Sequence, residues 1–387
     1  MGNLKMPQPK TEKLLWDFDL PNRRLEAWKY TSFENLAQLD LRMPSNDLGT
    51  ETLPYEPSPV FEESYKIFVL DFDAFYFDPE LEPYTYMEEA DKVEKDYLVD
   101  INTHYAQDKL RFVIPKNTKL EKPVEIFYFA GETTLVNGQL EITLEEGAEL
   151  SLVEHYEGDN GAFSNFVKTI DLNQGSVMHH TMFQLEDHES CHYQKTEIRT
   201  QENAHYHGFI VNNGALKARI EIEADIVGQN GSVNVSGINL IDEERLNDIT
   251  LFYKHVAENC NSRQHFKTVL ADKATGVFQG KIYVDQQAQK TDGYQLNNAL
   301  ILSDKAQMNS KPELEIYADD VKCSHGATTG QVDMDSLFYL RSRGLTKAQA
   351  TSLLIEAFVG EAILDIKDEQ TQGYVKNIAS QWLGDHR

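Results

Sequence analysis

The residues best placed for chemistry lie near the carboxyl end, in DDVKCSHGATTG, where Cys323 and His325 stand two apart. In extended backbone that spacing puts both side chains on one face. They offer one thiolate and one imidazole, a donor set suited to soft metals or metal clusters. Two donors make half a site, and a buried thiol beside a surface histidine accounts for the same spacing. The chain has three cysteines, Cys191, Cys260 and Cys323, with no CxxC pair. That excludes a disulfide framework, a self-contained zinc ribbon and a four-cysteine cluster site. A cluster assembled here needs ligands from another chain, and none is expected to stay on this chain alone.

Other groups invite a metal reading less strongly. His205 and His207 share a face if their segment is a strand, as in cupin-type sites, but no further ligands follow at a set spacing. His188, Cys191 and His192 lie in EDHESCHYQ. Three ligands from five residues require a tight turn, and no glycine or proline supplies one. GVFQGK, residues 276–281, has three residues between its glycines where a phosphate loop has four, and Ile282 stands where Ser or Thr follows the lysine. ATP hydrolysis by this chain is not expected.

The elements that must carry these residues are mostly strands. From Tyr65 onward short β-type runs recur, such as YKIFVLDFDAFYF, VEIFYFAG and QLEITLEEGAELSLVEHYEG. In the last, Leu140, Ile142 and Leu144 alternate with polar residues, a turn intervenes, and Ala148, Leu150 and Leu152 resume the alternation. Related turns sit at Gly147, Gly175, Gly214 and Gly231, each a glycine able to take positive φ followed by a small residue. Their spacing is irregular, which leaves a coiled stack of strands and a β-sandwich equally open.

Both ends differ from this middle. TEKLLWDFD and RRLEAWKYTSFENLAQL carry helix formers, and residues 43–59 contain four prolines, the pattern of a linker or extended arm. Past Val332 the period becomes helical. Ala350, Leu353, Leu354, Ala357 and Phe358 form one stripe, with Thr346 and Gln349 as a capping box; Val375, Ile378, Ala379, Trp382 and Leu383 form another. The expected organisation is a helical region and linker over residues 1–64, a β core over 65–332 and a helical domain over 333–387.

Composition narrows the partners. Hydrophobic residues at 41% and charged residues at 26% describe a globular chain. With 36 Lys and Arg against 63 Asp and Glu, the net charge is −27, which repels phosphate backbones and anionic lipid. No run approaches the roughly 18 to 20 apolar residues that cross a bilayer, and the first residues read as neither a secretory signal nor a transit peptide. A cytoplasmic location, without nucleic-acid or membrane partners, is expected.

The run from Gly280 to Leu345, with GKIYVDQQAQKTDGYQLNNALILSDKAQMNSKPELEIYADDVKCSHGATTG at its heart, resembles the SufB/SufD family of iron-sulfur assembly scaffolds. RRLEAWKYTSF, residues 23–33, is similar to the family's amino-terminal motif. CSHGAT resembles the SufD branch rather than SufB, which is longer, carries an amino-terminal cysteine cluster and has a late cysteine where Asn297 stands here. The resemblance implies a right-handed parallel β-helix core flanked by amino- and carboxyl-terminal α-helical domains. It implies a non-catalytic subunit that pairs with SufB and docks the SufC ATPase through its terminal helices, on residues such as Phe338, Tyr339, Leu340, Arg341, Arg343, Leu353, Leu354 and Phe358. ATP-driven movement of those helices would expose the pairing interface, where His325, and more weakly Cys323, would ligate a transient iron-sulfur cluster.

Two other readings compete. A β-helix lyase or hydrolase of polysaccharides needs carboxylates or a base gathered in one groove, and the acidic residues here are spread. A homodimeric scaffold without cluster ligation would use the same docking residues.

Overall fold

The computed structural model describes residues 15–43, 58–72, 74–92 and 97–385. The first part of TEKLLWDFD and nearly all of the proline-rich stretch lie outside the described residues. From Val124–Ala130 onward, consecutive strands alternate between two sheets, ending with Gln307–Ile316 in one and Lys322–Gly330 in the other. Pairing within each sheet is parallel along this run. Each strand therefore pairs with the strand two places on, one coil later, and the chain winds a parallel β-solenoid of about eight turns. A sandwich is excluded, because its neighbouring strands run antiparallel.

One corner shows what holds the coils in register. Asn117, Gly147, Gly175, Asn203, Asn230, Asn259 and Lys290 all have positive φ, once per coil. Glycine takes this conformation without strain, and asparagine more readily than most residues. Each of these N–H groups donates to a carbonyl of the following coil, from Asn117 to Glu146 at 2.8 Å through Asn259 to Gln289 at 2.9 Å. The result is a backbone spine along the molecule. Glycines 147 and 175 stand on this spine, whereas Gly214 belongs to the opposite corner, beside the positive-φ residue Ala215.

Alternation along each strand sends one set of side chains inward. Leu140, Ile142, Leu144, Leu150 and Leu152 meet there, with Ile220, Ile222, Val233 and Val235 further along. The outward sets are covered too. On the ten-stranded sheet, Phe183, Phe209, Val211, Ile238, Leu240 and Val269 pack beneath two carboxyl-terminal helices. On the nine-stranded sheet, Phe163 and Tyr193 lie under an amino-terminal strap and helix α1 (Tyr97–Tyr105). Burial on both faces explains why many strands read as nearly continuous hydrophobic runs.

The strap departs from the helical expectation. Its described residues form three short 3-10 turns, Leu15–Asp17, Glu26–Trp28 and Glu34–Gln38. Trp28, Thr31, Phe33 and Leu36 are all buried against the sheet, a spacing that no single helical stripe can present. Arg219 of the sheet anchors the strap, with its guanidinium 4.0 Å from the Trp28 ring centre and 2.7 Å from Asp248, whose carboxylate also accepts from Thr31.

The carboxyl end forms α2 (Met334–Ser342), α3 (Lys347–Ile363) and α4 (Glu369–Asp385). Thr346 and Gln349 make the capping box at the start of α3. The α4 stripe is buried as its period predicts, but α3 buries Ala350, Ser352, Ile355, Val359, Ala362 and Ile363. Leu353 and Ala357 are left exposed. Apolar residues surround α3, so period alone could not choose the face; the β-branched stripe fits the sheet. α3 and α4 thus pack on the outer face of the ten-stranded sheet.

Polar side chains also reach the interior. His255 is buried with its Nε2 2.9 Å from Ser262 Oγ, and burial pushes its pKa down to about 4. On the outer face, His207 stacks on His179 at 5.0 Å; burial, then Lys367, bring His207 to about 4 as well. Both stay neutral in the fold and gain a proton on unfolding below about pH 6.5. Their contribution is therefore complete above that pH and is lost as the pH falls toward 4, on the order of 3 kcal/mol for the fully enclosed His255. Melting temperature should drop over this window, and His255→Gln should flatten the profile. An unchanged slope in that variant would remove His255 from the account.

The two ends of the solenoid differ. At the amino end the sheets finish in the short antiparallel strands Ala74–Phe77 and Thr85–Glu89. At the carboxyl end Gln307–Ile316 and Lys322–Gly330 are terminal, and among the described residues nothing pairs with their outer edges.

Candidate functional site

Cys323 and His325 both lie on the last strand, Lys322–Gly330, at that open end. Its register places Cys323 opposite Gly293, His325 opposite Gln295 and Ala327 opposite Asn297. The strand is built of small and polar residues because it has no covering layer to satisfy; its outward residues are exposed. Cys323 is half-buried against a small cluster of Ile282, Val284, Ala288 and Ala318. Burial pushes its thiol pKa up, Asp292 adds to this, and a backbone hydrogen bond at Gly293 opposes it. In this chain the surroundings of Cys323 favour the protonated thiol over the thiolate that ligates metals. His325 is exposed, and its imidazole is free to meet another chain.

Beneath this strand the interior is polar in a way the sequence reading missed. Gln264, Gln295 and His325 occupy one register column. Gln264, Gln295 and Asn297 are fully buried. Asn297 donates to Ser310 Oγ at 2.9 Å. Among the described residues, both amide atoms of Gln264 and Gln295 and the Oδ1 of Asn297 have no hydrogen-bond partner. Such groups are costly to enclose, and here they lie one and two coils behind the exposed imidazole. The recurrence of a polar inward residue once per coil is the signal that would have found them.

The remaining candidates separate. His192 faces the interior 2.8 Å from Glu186, and Cys191 lies in the apolar cluster under the strap, its thiol pushed up to about 11 by burial. His188 is exposed, 3.4 Å from Glu243. His205 Nδ1 lies 2.8 Å from Ser232 Oγ. Residues 276–281 are all inside the strand Thr275–Val284, so no phosphate loop exists there. Among the described residues, the one group of three metal-binding side chains within 4.8 Å of each other is His188, Asp242 and Glu243. It includes neither Cys323 nor His325, and Asp242 is already paired with Arg245.

The residues read as helix-docking positions divide by exposure. On α2, Phe338 is 74% and Tyr339 56% exposed, Arg341 and Arg343 project into solvent, and Leu340 is half-buried. On α3, Leu353 is exposed and Leu354 half-buried. Phe358 packs against the apolar layer on the solenoid, with Lys267 4.7 Å from its ring centre. That packing leaves Phe358 half-buried, like Leu340 and Leu354.

Fold and site together define a β-solenoid protein with one end left unpaired among the described residues. Residues 127–358 match the family model described as SUF system FeS cluster assembly, SufBD core domain, and residues 72–126 match the SufBD protein N-terminal region. The chain belongs to the SufB/SufD family of the SUF iron-sulfur cluster assembly system. It is similar to the iron-sulfur cluster assembly protein SufD of Escherichia coli, 29% identical over 95% of this chain and 90% of that protein. An iron-sulfur cluster assembly SufBD family protein of Synechocystis is 29% identical over 95% of this chain and 88% of its own length. One from Pyrococcus horikoshii is 28% identical over 66% of this chain and 58% of its own length. No helix among the described residues is long and apolar enough to cross a membrane.

Proposed function

We propose that this chain is the SufD-type subunit of a cytoplasmic SUF complex, non-catalytic in itself, which pairs with SufB through the open end of its solenoid. The observation that carries this reading is the pair of terminal strands left uncovered, with His325 exposed on one of them. Unpaired strand edges invite association, and soluble proteins normally block them. A second chain laid against these edges completes the backbone ladder and brings its own ligands to His325. The nascent cluster is cargo of the complex; a neutral imidazole is a borderline ligand for iron and releases it more readily than thiolate does. We keep the right-handed sense of the coil, the hand that crossovers between parallel strands of one sheet take.

The α2 surface is the SufC dock in this reading. Phe338 and Tyr339 form an exposed aromatic pair, with the Arg343 guanidinium 5.1 Å from the Tyr339 ring centre, a combination frequent at interface centres. When the tagged chain is co-expressed with SufB and SufC, both should co-purify. Phe338→Asp should lose SufC while SufB stays bound and the melting temperature is unchanged, since the side chain supports nothing in the fold. Full retention of SufC by this variant would move the dock elsewhere, and absence of both partners from the wild-type eluate would end the proposed function.

A further inference from the structure

The strap motif has a second consequence, independent of cluster assembly. Between the strap and the nine-stranded sheet lies a cavity of about 570 Å³, within the range of small-molecule sites, roughly 300–1,000 Å³. Arg23, Arg24 and Lys217 line it together with Asn22, Ser32 and Asn35; Glu34 is the single acidic residue of the lining. Glu34 is itself engaged by the Ser32 hydroxyl at 3.0 Å. Among the described residues neither Arg23 nor Arg24 has an ion-pair partner.

Lys217 is the less ordinary member. It is half-buried, and its ammonium donates to the Ser32 carbonyl at 2.5 Å and to Asn35 Oδ1 at 2.7 Å, with the Phe33 ring centre 5.3 Å away. Both acceptors are neutral, and among the described residues one N–H remains unused. An ammonium withdrawn from water without a counter-ion is costly. Burial lowers its pKa; Cys191 and Glu34 oppose this, while the nearby positive charge of Arg23 adds to it. In a chain of net charge −27, three cations around one cavity against a single carboxylate form a local field opposite to that of the rest of the molecule.

We infer that this cavity binds a small polyanion through its phosphate or carboxylate oxygens. Two guanidinium forks and the third ammonium N–H supply charge-assisted hydrogen bonds of the kind that recognise such oxyanions, and Asn22 and Ser32 add neutral polar groups. The anion supplies the counter-charge that Lys217 lacks.

Isothermal titration of the full chain with pyrophosphate, and separately with citrate, at constant ionic strength tests this. At least one should bind with 1:1 stoichiometry and raise the melting temperature, and the arm that responds identifies the phosphate or carboxylate class. The doubly substituted Arg23→Ala, Arg24→Ala chain, whose side chains are exposed and carry no structural contact, should bind about tenfold more weakly or worse. Lys217→Met should weaken binding as much while keeping the packing on Phe33. No saturable binding of either anion would overturn the inference, as would unchanged affinity in both variants. Binding of a polyglutamate peptide alone would also overturn it, by making the cavity a dock for an acidic protein segment.

Discussion

Replacing His325 with alanine is expected to leave the complex with SufB and SufC assembled while its iron-sulfur content falls by about tenfold or more, the order of loss seen when a metal site's supporting groups are removed. The split follows from geometry. His325 is exposed on the last strand and opposes Gln295, so its side chain contributes little to the core, and an exposed substitution ordinarily costs under about 1 kcal/mol. Cys323 should behave differently. It packs with Ile282 and Val284 and carries a thiol pushed up by burial, so Cys323→Ala should lower stability slightly and cluster content only mildly. Anaerobic reconstitution of the co-purified complex, with iron and sulfide determination, reads both effects. A wild-type cluster content in the His325→Ala complex would sink the ligand assignment and leave the family intact.

The largest expected effect on stability comes from the opposite end of the interior. Glu154 is fully buried and accepts from Lys168 at 2.5 Å, Tyr128 at 2.9 Å and Tyr156 at 3.0 Å, with His180 Nε2 at 2.7 Å. His180 passes the chain of contacts to the Tyr206 hydroxyl at 2.8 Å. Burial alone would raise the Glu154 pKa, but Lys168 and His180 outweigh it and hold the carboxyl far below its usual range. Glu154→Ala strands the Lys168 ammonium inside the solenoid and should cost about 3–5 kcal/mol. Pairing Glu154→Leu with Lys168→Met removes both charges and should recover most of that loss. Urea unfolding of the wild-type chain and the two variants gives the comparison, and a double variant as unstable as the single one would show that the charges are not coupled.

How much of this was legible in the sequence depends on the element. The inward alternation around Leu140 and Leu150 was readable because a half-buried strand has a strict period of two. The coil length was hidden. Glycine marks the spine corner at 147 and 175, after which Asn203, Asn230 and Asn259 take over the same left-handed conformation, and Gly214 sits on the other corner. Glycine alone therefore marks two different corners, and a regular repeat looks irregular by that signal. The α3 face is ambiguous in the sequence because several apolar stripes compete on that helix, and the sheet beneath it decides. For the strap, long-range contacts of Trp28 and Thr31 with Arg219 and Asp248 override local helix propensity. Cys323 and His325 could be singled out by residue type, while the buried Gln264 and Gln295 behind them became visible only once the register was known.

The unequal ends of the solenoid also bear on how far strand pairing between molecules could extend. Two open ends would let each molecule join a neighbour at either side, and repetition of that contact builds a fibre. Here the amino end closes on antiparallel strands of four and five residues, too short to template another chain. Among the described residues, only the carboxyl end offers long strands with unpaired outer edges. In the proposed pairing, whether the occupant is SufB or a second copy, the first addition would cover the open edge of both molecules, and strand pairing would go no further, leaving α2 to take other partners.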